Sequence, residues 1–272
     1  SRPERPAERG LAKERATGSR SRGGAHYEEI WPFLALAFGI AWGIFALFAL
    51  VPDTVTRLFG EVSARHPLFI LAVHAPTIAA LILVLWHGGF SGLGRFLSRL
   101  LLWRAPWGWY VFLLIGIPLI YMAGAALKGG STALVIPEGG IAAALPAMAF
   151  MLVLGPVEEF GWRGLALPLL QRRMAPVWAG LVLGLIWGLW HLPAFFLGGT
   201  PQSNWTFLPF FTGAVAISLI MAPMFNRSGG SILLPALMHF QLNGPLWPDG
   251  QPWDTAVFVV VALVVVWACR GE

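Results

Sequence analysis

Cysteine is nearly absent from the sequence, and charged residues are scarce. Cys269 is the single cysteine among 272 residues, which excludes a disulfide within the chain and a cysteine-rich metal site. Charged residues make up 11% of the chain and hydrophobic residues 57%, with a mean hydropathy of +0.71. Soluble domains carry about 25% charged residues. A water-soluble fold of this length cannot bury so much apolar surface, so we predict an integral membrane protein.

The sequence also lacks a basic stripe with interleaved aromatic residues, which is the usual footprint of a nucleic-acid-binding protein. Its net charge of +5 comes mostly from Lys and Arg in the N-terminal segment and the loops. We interpret this charge as a determinant of topology and of contact with membrane lipids, and we expect no nucleic-acid partner. Residues 1–29 hold seven Lys/Arg and five Glu, with no apolar run and no small-residue cleavage site. We predict that they form a disordered cytoplasmic tail and not a signal peptide.

Eight apolar segments follow this tail. Each is long enough, or nearly so, to cross about 30 Å of hydrocarbon as a helix. The predicted fold class is therefore an all-α polytopic membrane protein of about eight transmembrane helices, with the membrane domain covering residues 30–272. The last two segments are short, and a partial or tilted insertion is the alternative for the seventh. The segments are 31–52, 67–87, 106–127, 141–170, 175–198, 206–226, 231–246 and 254–269.

Basic residues are distributed unequally over the two sides of the predicted bundle. If the tail is cytoplasmic, fourteen Lys and Arg residues lie on its side, three lie opposite, and Arg163 lies within a span. Because cytoplasmic loops are enriched in Lys and Arg, both termini are predicted to be cytoplasmic. Segment 89–105 sets Arg95 and Arg99 opposite an apolar face, which predicts a short helix in the cytoplasmic membrane interface.

Two adjacent carboxylates, Glu158 and Glu159, lie in the fourth predicted span. A charge at mid-membrane costs a few kcal/mol, so this pair indicates a functional role. Glu159 and Arg163 are four residues apart and are predicted to pair on one helix face. Glu158 points about 100° away and is predicted to lack such a direct partner, which suits a general base. The alternative is a buried Glu–Arg pair that only locks helices together, and it leaves Glu158 unexplained.

Two histidines in later spans are the other candidate functional residues. His191 follows Trp187 by four residues, and Asn243 follows His239 by four. An imidazole and a carboxamide on one helix face can both donate to a single oxygen. Measured from the cytoplasmic loops, Glu158 and the two histidines lie about 18 to 22 Å deep, which predicts one shared layer. For each histidine, a hydrogen bond that only joins two helices is the alternative.

These three motifs resemble the CPBP family, the CAAX-protease and bacteriocin-processing intramembrane proteases also called Abi proteins. The type II CAAX prenyl endopeptidases belong to this family. The family pattern is E-E-x-x-x-R, then F-x-x-x-H, then H-x-x-x-N or D. Residues 158–163, 187–191 and 239–243 follow this pattern in the same order within 86 residues. One departure is visible, because Trp187 replaces the usual Phe and thereby affects the shape of the pocket.

The resemblance implies an intramembrane endopeptidase of a prokaryotic cell membrane. Its substrate would be a membrane-embedded or lipidated peptide, with prenylated CAAX tails as one class. Glu158 and His191 would activate a water molecule, while His239 and Asn243 would hold the oxyanion of the tetrahedral intermediate. The pair formed by Glu159 and Arg163 would orient the site.

The family is labelled a metalloprotease family, and the residues leave the use of a metal open. Glu158, His191 and His239 are candidate ligands of a divalent metal such as zinc. A metal-free oxyanion site built with Asn243 is slightly favoured. Two non-catalytic alternatives are a transporter with a Glu/His proton relay and a bacteriocin-immunity-type binding protein. A transporter is expected to carry internal repeats with matching broken helices, and no such symmetry is visible in the sequence.

Overall fold

The computed structural model describes residues 30–270, and all regular structure in this range is helical. The predicted all-α polytopic fold is confirmed, whereas the predicted disordered tail, residues 1–29, lies outside the described residues. Six helical segments are long and apolar enough to cross a membrane, and two shorter apolar helices follow them. These eight segments match the eight apolar runs of the sequence. The count of eight spans and the cytoplasmic termini stay predictions.

Several spans are built from more than one helical piece. The α-helices are α1 (Trp31–Leu50), α2 (Pro52–Phe59), α3 (Pro67–Val73), α4 (Ala75–Leu97), α5 (Trp107–Val111), α6 (Ile117–Lys128), α7 (Ile141–Leu154), α8 (Glu158–Gly161), α9 (Leu167–Gln171), α10 (Pro176–Trp190), α11 (Phe207–Arg227), α12 (Leu233–Leu242) and α13 (Trp253–Ala268). Two π-helical turns, Phe112–Gly116 and Trp162–Ala166, join α5 to α6 and α8 to α9. Three 3-10 turns are Ser98–Leu101, Leu192–Phe196 and Pro201–Asn204.

The fourth span is broken between α7 and α8. Pro156 lies in the break, and it can neither donate a backbone hydrogen bond nor follow a helical residue without strain. The carbonyl of Val157 accepts a hydrogen bond from the Thr77 hydroxyl on α4. Helical structure resumes at Glu158, so Glu158 and Glu159 occupy the first helical turn after the break. The positive end of the helix dipole favours negative side chains at this position.

Each π-helical turn ends two residues before a proline, since Pro118 and Pro168 are the second residues of α6 and α9. Proline has no N–H for the carbonyl four residues earlier, and the helix widens there. In the second turn that carbonyl belongs to Gly164, which accepts a 2.7 Å hydrogen bond from Nη1 of Arg99. Nε of Arg99 donates to the Gly230 carbonyl at 2.8 Å. The prediction that Arg99 lies on the polar face of an interfacial helix was therefore wrong, because free backbone carbonyls of neighbouring segments bind its guanidinium.

Helix α10 packs closely along α11 through a row of glycines, Gly180, Gly184 and Gly188. An ideal Cβ atom at Gly184 would lie 2.8 Å from Cα of Val215, and one at Gly188 would lie 2.7 Å from Cδ2 of Phe211. Helix association in lipid depends on such close packing, since apolar surfaces gain little from leaving the hydrocarbon. The glycine row thus fixes α10 against its neighbour, and α10 carries Trp187 and ends directly before His191.

Candidate active site

Glu159 lies at the centre of a fully buried network. Nη1 of Arg163 lies 3.0 Å from Oε1 and 2.9 Å from Oε2 of Glu159, so the predicted contact between these residues is present. Nδ1 of His239 lies 2.6 Å from the same Oε1 atom. This second contact joins α12 to α8. It was not predicted from the sequence, because its partners lie on different helices.

Arg163 has a second partner in Trp187. The centre of its guanidinium lies 4.5 Å from the centroid of the Trp187 ring, which is a cation–π contact. Among the described residues, Nε and Nη2 of Arg163 have no hydrogen-bond partner. A buried cation is costly to remove from water, and here only the contacts of Arg163 with its partners offset that cost. Glu159 and Trp187 therefore carry the compensation of this charge.

Glu158 is 4% exposed, and its Oε2 atom accepts a 3.0 Å hydrogen bond from Nε1 of Trp187. The prediction concerned a counter-ion such as Arg163, and the neutral indole of Trp187 is a different kind of partner, which the sequence did not predict. The donor lies 29 residues further along the chain on α10. Helical spacing predicts contacts only between residues of the same helix. The contact of Glu158 with Trp187, on another helix, could therefore not be predicted from it.

His191 follows the last residue of α10, and its Nδ1 atom lies 2.8 Å from the carbonyl oxygen of Trp187. A carbonyl only accepts, so Nδ1 carries the hydrogen, and Nε2 of the neutral ring keeps its lone pair. The ring centroid lies 5.5 Å from that of Trp187, 4.9 Å from that of Trp190 and 5.0 Å from that of Phe210. His191 therefore stands in an aromatic enclosure with one basic nitrogen available.

His239 and Asn243 direct their side chains towards Gly155, at the break of the fourth span. An ideal Cβ atom at Gly155 would lie 1.9 Å from Nδ2 of Asn243 and 2.8 Å from Nε2 of His239. Both nitrogens thus approach one point, as their four-residue spacing predicts. A side chain at position 155 would collide with these two nitrogens in their present positions, so glycine is the residue that fits there. Sequence reasoning missed Gly155, although its position before Pro156 and the two acids was a signal.

Trp187 links the candidate residues of three spans. Its indole N–H binds Glu158, its backbone carbonyl binds His191, and its ring centroid lies 5.6 Å from that of His239. Glu159 joins Arg163 to His239, and Asn243 meets His239 at Gly155. The six residues predicted from the sequence therefore form one cluster, although Glu158 and His191 are linked through Trp187.

The predicted alternative of a metal site does not fit this arrangement. Among residues 30–270, no three His, Cys, Asp or Glu side chains are grouped so that they could hold a metal ion. Oε2 of Glu158 is bound by Trp187, and Nδ1 of His239 faces Glu159. The third candidate ligand, His191, is linked to Glu158 through Trp187, so Glu158, His191 and His239 are not grouped to share one metal ion.

Comparison with known proteins agrees with the motifs. Residues 140–244, which contain all three motifs, match the family model described as type II CAAX prenyl endopeptidase Rce1-like. CAAX prenyl protease 2 of the archaeon Methanococcus maripaludis is 29% identical over 133 residues, covering 45% of this chain and 49% of that protein. The chain thus spans about half the length of this curated relative. Its archaeal source agrees with the expected prokaryotic origin. The resemblance inferred from the motifs is confirmed, because residues 140–244 are similar to type II CAAX prenyl endopeptidases of the CPBP family.

Proposed function

We propose that this chain is an intramembrane endopeptidase that hydrolyses a peptide bond of a membrane-associated peptide. Its similarity to CAAX-type proteases supports a peptidase of this type. The observation that carries the proposal is the approach of His239 and Asn243 to one point at Gly155, three residues before Glu158. Two fixed donors beside a buried carboxylate suit the attack of water on a carbonyl, because the donors stabilise the developing oxyanion.

Glu158 acts as the general base in this proposal. Its Oε2 atom is held by Trp187, so Oε1 is left to accept a proton from water. Nε2 of His191 accepts the second water hydrogen and orients the molecule. As the proton moves to Glu158, the water oxygen bonds to the carbonyl carbon. The electron pair of the C=O bond then moves onto the carbonyl oxygen.

His239 and Asn243 bind this oxyanion. The Asn243 amide donates in every protonation state, whereas His239 donates through Nε2 only when both ring nitrogens carry protons. In that state the positive imidazole is paired with Glu159 at Nδ1. The C–N bond breaks as the tetrahedral intermediate collapses, and Glu158 passes its proton to the leaving nitrogen. The products are a carboxylic acid and an amine, and the carboxylate of Glu158 is regenerated.

A prenylated peptide with a CAAX-type C-terminus is the substrate class that we propose first. The curated relative carries the name CAAX prenyl protease 2. A multi-pass protein meets such a peptide at the membrane, where the lipid group anchors it. Membrane lipids are therefore the expected surroundings of both enzyme and substrate.

The test uses the purified full chain in detergent and an internally quenched, farnesylated CAAX peptide. Glu158→Gln keeps the shape of the side chain but cannot accept the water proton, so we expect turnover to fall about 10²- to 10⁴-fold. Glu61→Gln makes the same chemical change at an exposed loop position and should leave turnover unchanged. Equal turnover by the wild type and Glu158→Gln would contradict the proposal.

Proteoliposomes separate the peptidase from the transporter alternative. A transporter with a Glu/His relay would carry protons across the vesicle membrane and would cleave no peptide. Peptide cleavage that depends on Glu158, in vesicles without proton flux, favours the peptidase. Proton flux without cleavage, abolished by Glu158→Gln, would favour the transporter.

A further inference from the structure

Trp187 makes contacts that a residue used only for packing does not need. Its side chain is 4% exposed, and its one polar atom is 3.0 Å from Oε2 of Glu158. Its backbone carbonyl receives the Nδ1 hydrogen of His191. One residue therefore touches both groups that are proposed to activate water.

The hydrogen bond to Glu158 restricts the rotation of the carboxylate. A buried carboxylate on a helix can adopt several rotamers, and an N–H bound to one oxygen selects among them. With Oε2 held, Oε1 keeps a defined direction. A phenylalanine, the residue of the family pattern at this position, has an aromatic ring but no donor. The indole N–H is thus an addition of this sequence to the site.

The ring of Trp187 also separates charged and basic groups. The Arg163 guanidinium lies over the ring at 4.5 Å, while the ring centroids of His191 and His239 lie 5.5 Å and 5.6 Å from the indole. The indole ring therefore contacts both histidines and the arginine. Loss of the N–H and loss of ring volume are two different perturbations, which the experiment has to separate.

We propose that Trp187 is a positioning residue, which holds the Glu158 carboxylate and the His191 ring in the orientation needed to activate one water molecule. This inference rests on the proposed function, since it assigns Glu158 and His191 to water activation. Trp187 touches no reacting atom in this scheme. It acts on the chemical step through Glu158 and His191, and it does not contribute to substrate binding.

The experiment compares two substitutions at position 187 in the purified full chain. Trp187→Phe removes the N–H and part of the ring. Replacement of Trp187 by 3-benzothienylalanine, through a suppressed stop codon, keeps the bicyclic ring and exchanges only the N–H for sulfur. A hydrogen bond to a charged group is lost in both, so we expect kcat to fall about 10- to 100-fold while KM changes less than about threefold.

Trp109→Phe is the matched control for the loss of a buried indole. Trp109 lies on α5, is 8% exposed and packs in an apolar cluster that does not include Trp187. We expect Trp109→Phe to lower thermal stability about as much as Trp187→Phe does and to leave kcat unchanged. If Trp187→Phe does not fold, the benzothienylalanine variant decides alone. A benzothienylalanine variant with wild-type kcat would overturn the inference. So would a variant whose loss of kcat/KM comes entirely from an increase in KM.

A chemical probe separates this inference from the proposed function. The hydrophobic reagent dicyclohexylcarbodiimide labels the protonated form of buried carboxyl groups, and mass spectrometry locates the label without any turnover. Loss of the N–H donor to the carboxylate should speed labelling of Glu158 about tenfold, whereas Trp109→Phe should not. Unchanged labelling would refute the positioning role even if peptide cleavage is observed. Faster labelling without cleavage by the wild type would refute the proposed function alone.

Discussion

Nδ1 of His239 lies 2.6 Å from Oε1 of Glu159, although 80 residues separate them in the chain. The same carboxylate receives Nη1 of Arg163 on both of its oxygens. Glu159 therefore ties a histidine of α12 to an arginine of its own span. The contact orients the His239 ring so that Nε2 faces Gly155. Glu159 thus supports one of the two proposed oxyanion donors in addition to its own helix.

Glu159→Gln is expected to destabilise the fold strongly. The substitution removes the negative charge and leaves the buried Arg163 without its counter-ion. Breaking a buried pair by removing one partner costs about 3–5 kcal/mol. The free energy of unfolding, measured in mixed detergent micelles, should fall by this amount. Glu61→Gln is the control, because Glu61 lies exposed in the loop between α2 and α3. Equal stability of the two variants would show that Glu159 does not compensate the charge of Arg163.

An exposed ion pair gives a prediction for the pH dependence of stability. Nζ of Lys128 lies 2.6 Å from Oδ2 of Asp249, and this hydrogen bond lowers the pKa of Asp249 below its usual range. A carboxyl whose pKa is lower in the folded state stabilises the fold above its unfolded pKa, and this contribution is lost as the pH falls through the folded value.

Asp249→Asn should therefore lower stability at pH 6 and have progressively less effect below about pH 4. The pair is largely exposed, so the difference at pH 6 should be below about 1 kcal/mol and should shrink in high salt. Thermal unfolding of both proteins at several pH values measures it. Glu138→Gln, at an exposed loop position, is the control. A difference that stays constant down to pH 2.5 would contradict the assignment to this ion pair.

Much of the site was predictable because its motifs follow simple helical spacing. Glu159 and Arg163, like His239 and Asn243, stand four residues apart, and residues at this spacing share a helix face. The apolar runs fixed the approximate position of each span, since hydrocarbon thickness dictates helix length. The prediction that the candidate residues share one layer came from counting residues along these helices.

The contacts between helices were not predictable in the same way. The hydrogen bond from Trp187 to Glu158 depends on how α10 is rotated against α8, and no spacing within one span reports that rotation. The same holds for Arg99, whose guanidinium binds carbonyls of two other segments. Gly155 was overlooked because its role is to leave space for side chains of α12. Such a role becomes visible only when the helices are packed.

Gly155→Ala is expected to abolish most of the activity without unfolding the protein. The backbone of Gly155 has φ −91° and ψ −52°, a helical region that alanine can adopt, although the ring of the following Pro156 crowds a Cβ atom there and adds some strain. The new methyl group would meet the Asn243 amide at 1.9 Å and the imidazole of His239 at 2.8 Å. These are ends of side chains, which can move aside. Loss of one oxyanion donor costs about 10²- to 10³-fold in kcat, and we expect a decrease of this size.

Gly43→Ala is the control for this substitution, because no atom lies within 4 Å of an ideal Cβ at Gly43 on α1. Turnover of the CAAX peptide and the unfolding temperature should both stay close to wild type in this variant. If the methyl group at position 155 acts by displacing Asn243, Asn243→Ala alone should cause a similar loss. The double variant should then lose little more, since the two changes remove the same interaction. Fully additive losses would show that Gly155 and Asn243 act on the reaction independently.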